Sequence, residues 1–176
     1  MRQLFTSVTK QGDYITNRQW LVSVDSPLVT KLVPKKIRPL LKEKINFKFH
    51  SRTGKILSKG DYPEVTTFAD SIRITDSQFF SSSFLYYNDA EFQRILLRHN
   101  DDGEGAVLVP ENTFKLCGGR NCYEYNTPEN YRGVAFCDSQ TGDSLFTVFN
   151  PVDVKKMSKE LQPLFCFTMA YMFSKS

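Results

Sequence analysis

The amino-acid sequence predicts an α+β fold: a mostly antiparallel β-sheet of about eight or more strands with two helices packed on it. Three observations carry this reading. Short runs alternate apolar and polar residues, Gly, Asn and Asp clusters separate those runs, and just two segments open with helix-capping residues. The chain of 176 residues fits a single compact domain spanning residues 1–176, on a scale of about 100 to 200 residues per domain. With 40% apolar and 14% aromatic residues it can bury a core, which argues against disorder or a fibre.

Residues 4–8 and 14–24 read as two strands around Gln11, Gly12 and Asp13, because Trp20, Val22 and Val24 share one face of the second run. Pro27, Pro34 and Pro39 then punctuate a basic connector, where any helix must be short. Residues 44–59 form the best hairpin: Ile45, Phe47 and Phe49 fall on one face, Asn46, Lys48 and His50 on the other, and residues 52–55 turn the chain. Residues 65–75 and 79–87 read as further strands, the latter rich in aromatics. The first helix is expected over 88–100, with Asn88 as cap, Glu91 completing a capping-box-like pair and Phe92, Ile95 and Leu96 facing inward.

Three extended segments follow, at 106–109, at 114–125 folded about Gly118 and Gly119, and at 133–149 folded about residues 140–143. The second helix is expected from Asn150, with Pro151 at its first position and Val154, Met157 and Leu161 inward. Residues 164–173 read as a closing strand with Phe165, Phe167, Met169, Tyr171 and Phe173 on one face.

The longest apolar stretch, 164–173, has ten residues where a membrane-spanning helix needs about 20, so a soluble protein without membrane contact is expected. No apolar signal core follows Arg2, and four scattered cysteines suit a reduced cytoplasmic or host-cell interior. Cys117 and Cys122 lack the second close pair of a structural zinc site, so buried or paired thiols outweigh a metal, and neither metal nor cofactor is expected. His50 and His99 belong to no catalytic motif, and no phosphate-binding glycine loop, serine elbow or zinc-protease helix is present. The cluster Asp101, Asp102 and Glu104 lacks the alternation of a calcium loop and reads as a turn. No catalytic residue is assigned, and a non-enzymatic role is favoured.

Charge distribution is the most informative feature. Ten basic residues against Glu43 alone give residues 31–59 a charge of +9, while thirteen bases and eighteen acids leave the remaining chain at −5, within a net +4. Contiguous lysines and arginines neutralise phosphates, so Lys35, Lys36, Arg38, Lys44, Lys48, Arg52, Lys55 and Lys59 are the candidate nucleic-acid-binding residues. Because the pleat puts Phe47 behind Lys48, phosphate contact without base readout is the natural version. The competing readings are a solvated basic face or an acidic protein partner.

Fifteen Phe and eight Tyr support a further reading. Adjacent aromatics on a strand point to opposite sides, so Phe79, Phe80, Tyr86 and Tyr87 are a candidate interface for another protein or another copy of the chain. A structural or inhibitory accessory protein acting through protein contacts is the alternative, of the viral or mobile-element type in which small aromatic-rich sheet proteins are common, and a small metal-dependent hydrolase or nuclease built on carboxylates is the third.

Overall fold

The structure, a computed structural model, describes residues 6–88, 91–98 and 106–151. In chain order these form β1 (Ser7–Gln11), β2 (Tyr14–Thr16), β3 (Trp20–Ser23), α1 (Val29–Leu32), a 3-10 helix (Arg38–Lys42), β4 (Phe47–His50), β5 (Ile56–Lys59), α2 (Pro63–Ser71), β6 (Arg73–Asn88) and β7 (Glu91–Arg98). There follow β8 (Ala106–Pro110), α3 (Glu111–Leu116), β9 (Asn121–Asn126), β10 (Arg132–Cys137), β11 (Ser144–Val148) and β12 (Asn150–Pro151). The α+β expectation holds: twelve strands make one sheet in the order β12-β8-β7-β6-β9-β10-β11-β3-β2-β1-β4-β5, its pairings antiparallel.

The order separates the chain into two contiguous stretches. Strands β1 to β5 occupy one end and β6 to β12 the other, joined where β3 pairs with β11 through Leu21 with Phe146 and Trp20 with Thr147. The Thr147 hydroxyl strengthens this seam by donating to the Gln19 carbonyl at 2.9 Å.

Residues directly opposite on neighbouring strands project to the same face. On one face that rule aligns Phe49, Val8, Ile15, Val22, Leu145, Phe136, Cys122, Phe79, Leu96 and Val107, all in one buried cluster. Leu28, Val29, Val33, Ile37 and Leu41 of the proline-punctuated connector join that cluster, as do Phe114, Leu116 and Cys117 from α3 and its end. The opposite face carries α2, whose Phe68 meets the Tyr125 and Tyr131 rings edge-on at 6.5 and 6.0 Å.

Several local expectations change. The 14–24 run breaks at Asn17, whose Oδ1 accepts the Gln19 and Trp20 N–H groups while Arg18 takes φ +74°. Residues 63–71 are helical rather than extended: Pro63 opens the helix, and Val65, Phe68, Ala69 and Ile72 recur at helical spacing although Val65, Thr66 and Thr67 suit a strand. Residues 91–98 are a strand rather than a helix, paired on both sides by β6 and β8, and Asn88 and Glu91 are cross-strand partners instead of a cap and its companion. Residues 111–116 are helical after Pro110, so the start of the expected 114–125 strand, residues 114–116, is helix instead. Asn150 and Pro151 form the short β12; the rest of the second expected helix, the closing strand 164–173, His99, the acidic cluster at 101–104 and Cys166 lie outside the described residues.

Candidate polyanion interface

The hairpin forms over Phe47–His50 and Ile56–Lys59 with Phe47 and Phe49 at 1% and 0% exposure and Lys48 and His50 on the outer side, while Ile45, expected on the inward face, precedes the strand and is exposed. Gly54 takes φ +72°, a left-handed conformation that glycine adopts without penalty, and this folds the tip onto the connector. A Cβ placed on Gly54 would stand 3.5 Å from the Pro34 Cβ, 3.6 Å from that of Ile37 and 3.9 Å from that of Lys36. This packing brings together lysines and an arginine from separate segments: Lys35 and Lys36 of the connector beside Arg52 and Lys55 of the turn, all exposed. The His50 Nδ1 accepts from the Arg52 and Thr53 N–H groups at 3.2 and 3.3 Å, so this imidazole shapes the turn.

The other predicted residues are distributed differently. Arg38 spends its guanidinium on the connector, donating to the Val33 carbonyl at 2.9 Å and the Thr30 carbonyl at 2.6 Å. Lys48 lies over the Tyr62 ring at 4.8 Å on the α2 side of the sheet. Lys59 pairs with Phe47 and so projects towards the opposite side, at the outermost strand. The eight residues therefore do not make one stripe: four gather at the hairpin tip, Lys44 is exposed at the start of the hairpin, and Lys48 and Lys59 flank it on opposite faces.

A residue that sequence reading passed over supports this arrangement. Lys10 is in phase with Val8 on the core side and is only 2% exposed. Its Nζ donates to the carbonyl oxygens of Glu43 and Ile45 at 2.8 and 2.7 Å, which moors the junction between the 3-10 helix and β4. Burial lowers the lysine below its usual 10.5, and Asp13 opposes that shift. Its alternation with Val8 was the available signal.

The ion pairs among the described residues lie outside 31–59. Arg94, Arg98, Arg120 and Arg132 all pair with carboxylates, Arg94 with Glu111, Arg98 and Arg132 with Glu124, and Arg120 with Asp143. Asp143 also accepts the Ser26 hydroxyl at 3.0 Å. Among the described residues, none of the ten bases in 31–59 makes an ion pair.

The remaining candidates resolve as follows. Cys117 and Cys122 are free and buried, the first ending α3 and the second on β9. Burial pushes Cys117 up to about 12 and Cys122 to about 11, which keeps both as thiols. Among the described residues, no three His, Cys, Asp or Glu side chains gather as a metal-binding group, and no helix is long and apolar enough to cross a membrane. Of the aromatic candidates, Phe79 is a core residue at 3% exposure, edge-on to Phe149, which removes it from any outer surface. Phe80 points the other way and is 40% exposed, Tyr86 is half-buried, and Tyr87 pairs with Phe92 along the β6–β7 ladder. Comparison with protein-family models, curated proteins and solved structures returns no match.

Proposed function

We propose that the protein is a non-enzymatic binding module that engages a polyanion, nucleic acid above all, through the surface built by Lys35, Lys36, Arg52 and Lys55, with Lys44, Lys48 and Lys59 around it. One observation carries the reading: a +9 segment whose ten bases make no ion pair among the described residues, while Arg94, Arg98, Arg120 and Arg132 elsewhere each pair with a carboxylate. Uncompensated cations at a folded, moored surface bind phosphates by releasing the counterions condensed on them. Phe47 and Phe49 are sequestered in the core, so the surface lacks their rings as stacking platforms and suits the phosphate backbone rather than base edges. Titration of a labelled duplex by fluorescence anisotropy at several salt concentrations tests this. Binding that weakens linearly on a log–log salt plot supports it, and salt-independent or absent binding removes it.

A second reading has its own observation. Leu85 and Phe92 share one face of the β6–β7 ladder and are 41% and 54% exposed, more apolar surface than a strand pair needs to show water, while Phe80 is exposed on the other face. That surface suits an accessory role through protein contacts, including self-association, and sedimentation of the purified chain tests it.

A further inference from the structure

A second charged site lies at the ends of β6, β9 and β10, away from the basic hairpin. Arg73 pairs with Asn126 across β6 and β9, and Asn126 pairs with Arg132 across β9 and β10. Direct partners share a face, so Arg73, Asn126 and Arg132 form one row across three strands. At a strand spacing of about 4.8 Å the two arginine backbones stand about 10 Å apart. The row borders a cavity of about 490 Å³ that Glu124, Thr127, Pro128 and Asn130 complete. The far wall is held in shape by its own hydrogen bonds: Thr127 N–H donates to the Tyr131 carbonyl at 3.0 Å, and Asn130 N–H to the Thr127 carbonyl at 2.9 Å.

The charge balance of this cavity is unequal. Glu124 has a side chain just 7% exposed, and its carboxylate already accepts from both Arg98 and Arg132. Arg132 directs Nε and one Nη to that carboxylate, and its half-exposed fork keeps further N–H donors. Arg73 is exposed and makes neither an ion pair nor a hydrogen bond among the described residues. Arg98 and Arg132 thus share one carboxylate, and Arg73, without a partner among the described residues, lines the same cavity across the row from Arg132. Forked guanidiniums with an amide between them match the oxygens of a planar or tetrahedral anion. The volume fits a small molecule.

We infer that the Arg73, Asn126 and Arg132 row is a binding site for the oxyanion of a small molecule, a carboxylate or phosphate group held between Arg73 and the free N–H donors of Arg132, with Glu124 fixing the orientation of Arg132. The site is independent of the hairpin surface.

The test is calorimetric titration of the full chain with inorganic phosphate and, separately, with succinate. Saturable binding of one of them in about the millimolar range is expected, and the tighter one identifies the anion class. Arg73→Gln weakens that binding about tenfold or more, since it removes a charge-assisted hydrogen bond to the anion. Asn126→Asp, which sets a carboxylate between the two arginines, weakens it as well. A Lys36→Glu, Lys55→Glu variant binds the small anion as the parent does, which separates this site from the hairpin. The inference is overturned if neither anion saturates below about 50 mM, or if Arg73→Gln binds the anion as tightly as the parent chain.

Discussion

Gly54 at the tip of the β4–β5 hairpin lies against Pro34 of the basic connector, so close that a Cβ on Gly54 would stand 3.5 Å from the Pro34 Cβ. That separation is an ordinary van der Waals distance, so the constraint at this position is the backbone at φ +72° rather than space. Gly54→Ala is expected to cost about 1 to 2 kcal/mol through left-handed strain, read as a lowered urea midpoint. An unchanged midpoint would mean that the tip is not held as described.

Lys10 offers a different test of the same surface. Lys10→Met keeps the length and apolar packing of the side chain but leaves the Glu43 and Ile45 carbonyls without their donor. A destabilisation of about 1 to 3 kcal/mol is expected. The parent lysine also has a pH signature. Its folded value lies below 10.5, so between that depressed value and 10.5 the unfolded chain binds more protons, and its contribution to stability rises with pH across that window. The slope of stability against pH in that range should therefore be less positive in Lys10→Met than in the parent.

The buried thiols act with the opposite sign. Cys117 and Cys122 have folded values near 12 and 11 against an ordinary 9.0, so their contribution is full below pH 9.0 and is lost as pH rises through the folded values. Tyr125, pushed up to about 12 by burial, adds to the same alkaline loss. Peptide mapping after iodoacetamide at pH 8 should find Cys117 and Cys122 unmodified in the native chain and modified in urea. Native labelling of either would contradict the burial that raises it.

Gly133 has no room for a side chain. A Cβ there would strike the Thr147 carbonyl and the Tyr125 ring, which stacks edge-on against Phe146 at 5.5 Å. Gly133→Ala must separate β10 from β11 or displace Tyr125, and a cost of about 3 kcal/mol or more is expected. Thermal unfolding measures it.

Local alternation was legible where one face is buried and the other is wet, as in Phe47, Lys48, Phe49 and His50, and the turns at Gly12, Gly54 and Gly142 fell where expected. It failed where two periodicities coexist. Val65, Phe68 and Ile72 fit a helix while Val65, Thr66 and Thr67 fit a strand, and Pro63 at the helix start was the deciding residue. Residues 91–98 carry an inward stripe for either state, and pairing with β6 and β8 from distant parts of the chain selects the strand. The candidate interface was legible as composition, through the excess of lysine in 31–59, but its shape was not. The convergence of Lys36 with Arg52 and Lys55 depends on the packing of Gly54 against Pro34, and Arg38 left the set because carbonyls of Thr30 and Val33 lie within its reach. Neither relation has a spacing signature in the chain.

The most direct test of the polyanion interface is the salt dependence of duplex binding by the parent chain and by a variant with Lys35, Lys36, Arg52 and Lys55 each changed to Glu. All four side chains are exposed and make no ion pair among the described residues, so the variant should unfold at nearly the parent's temperature. The interface predicts weaker binding and a log–log salt slope flatter by about 3 to 4, because each substituted residue no longer neutralises a phosphate. Equal affinity and an equal slope in a folded variant would contradict it.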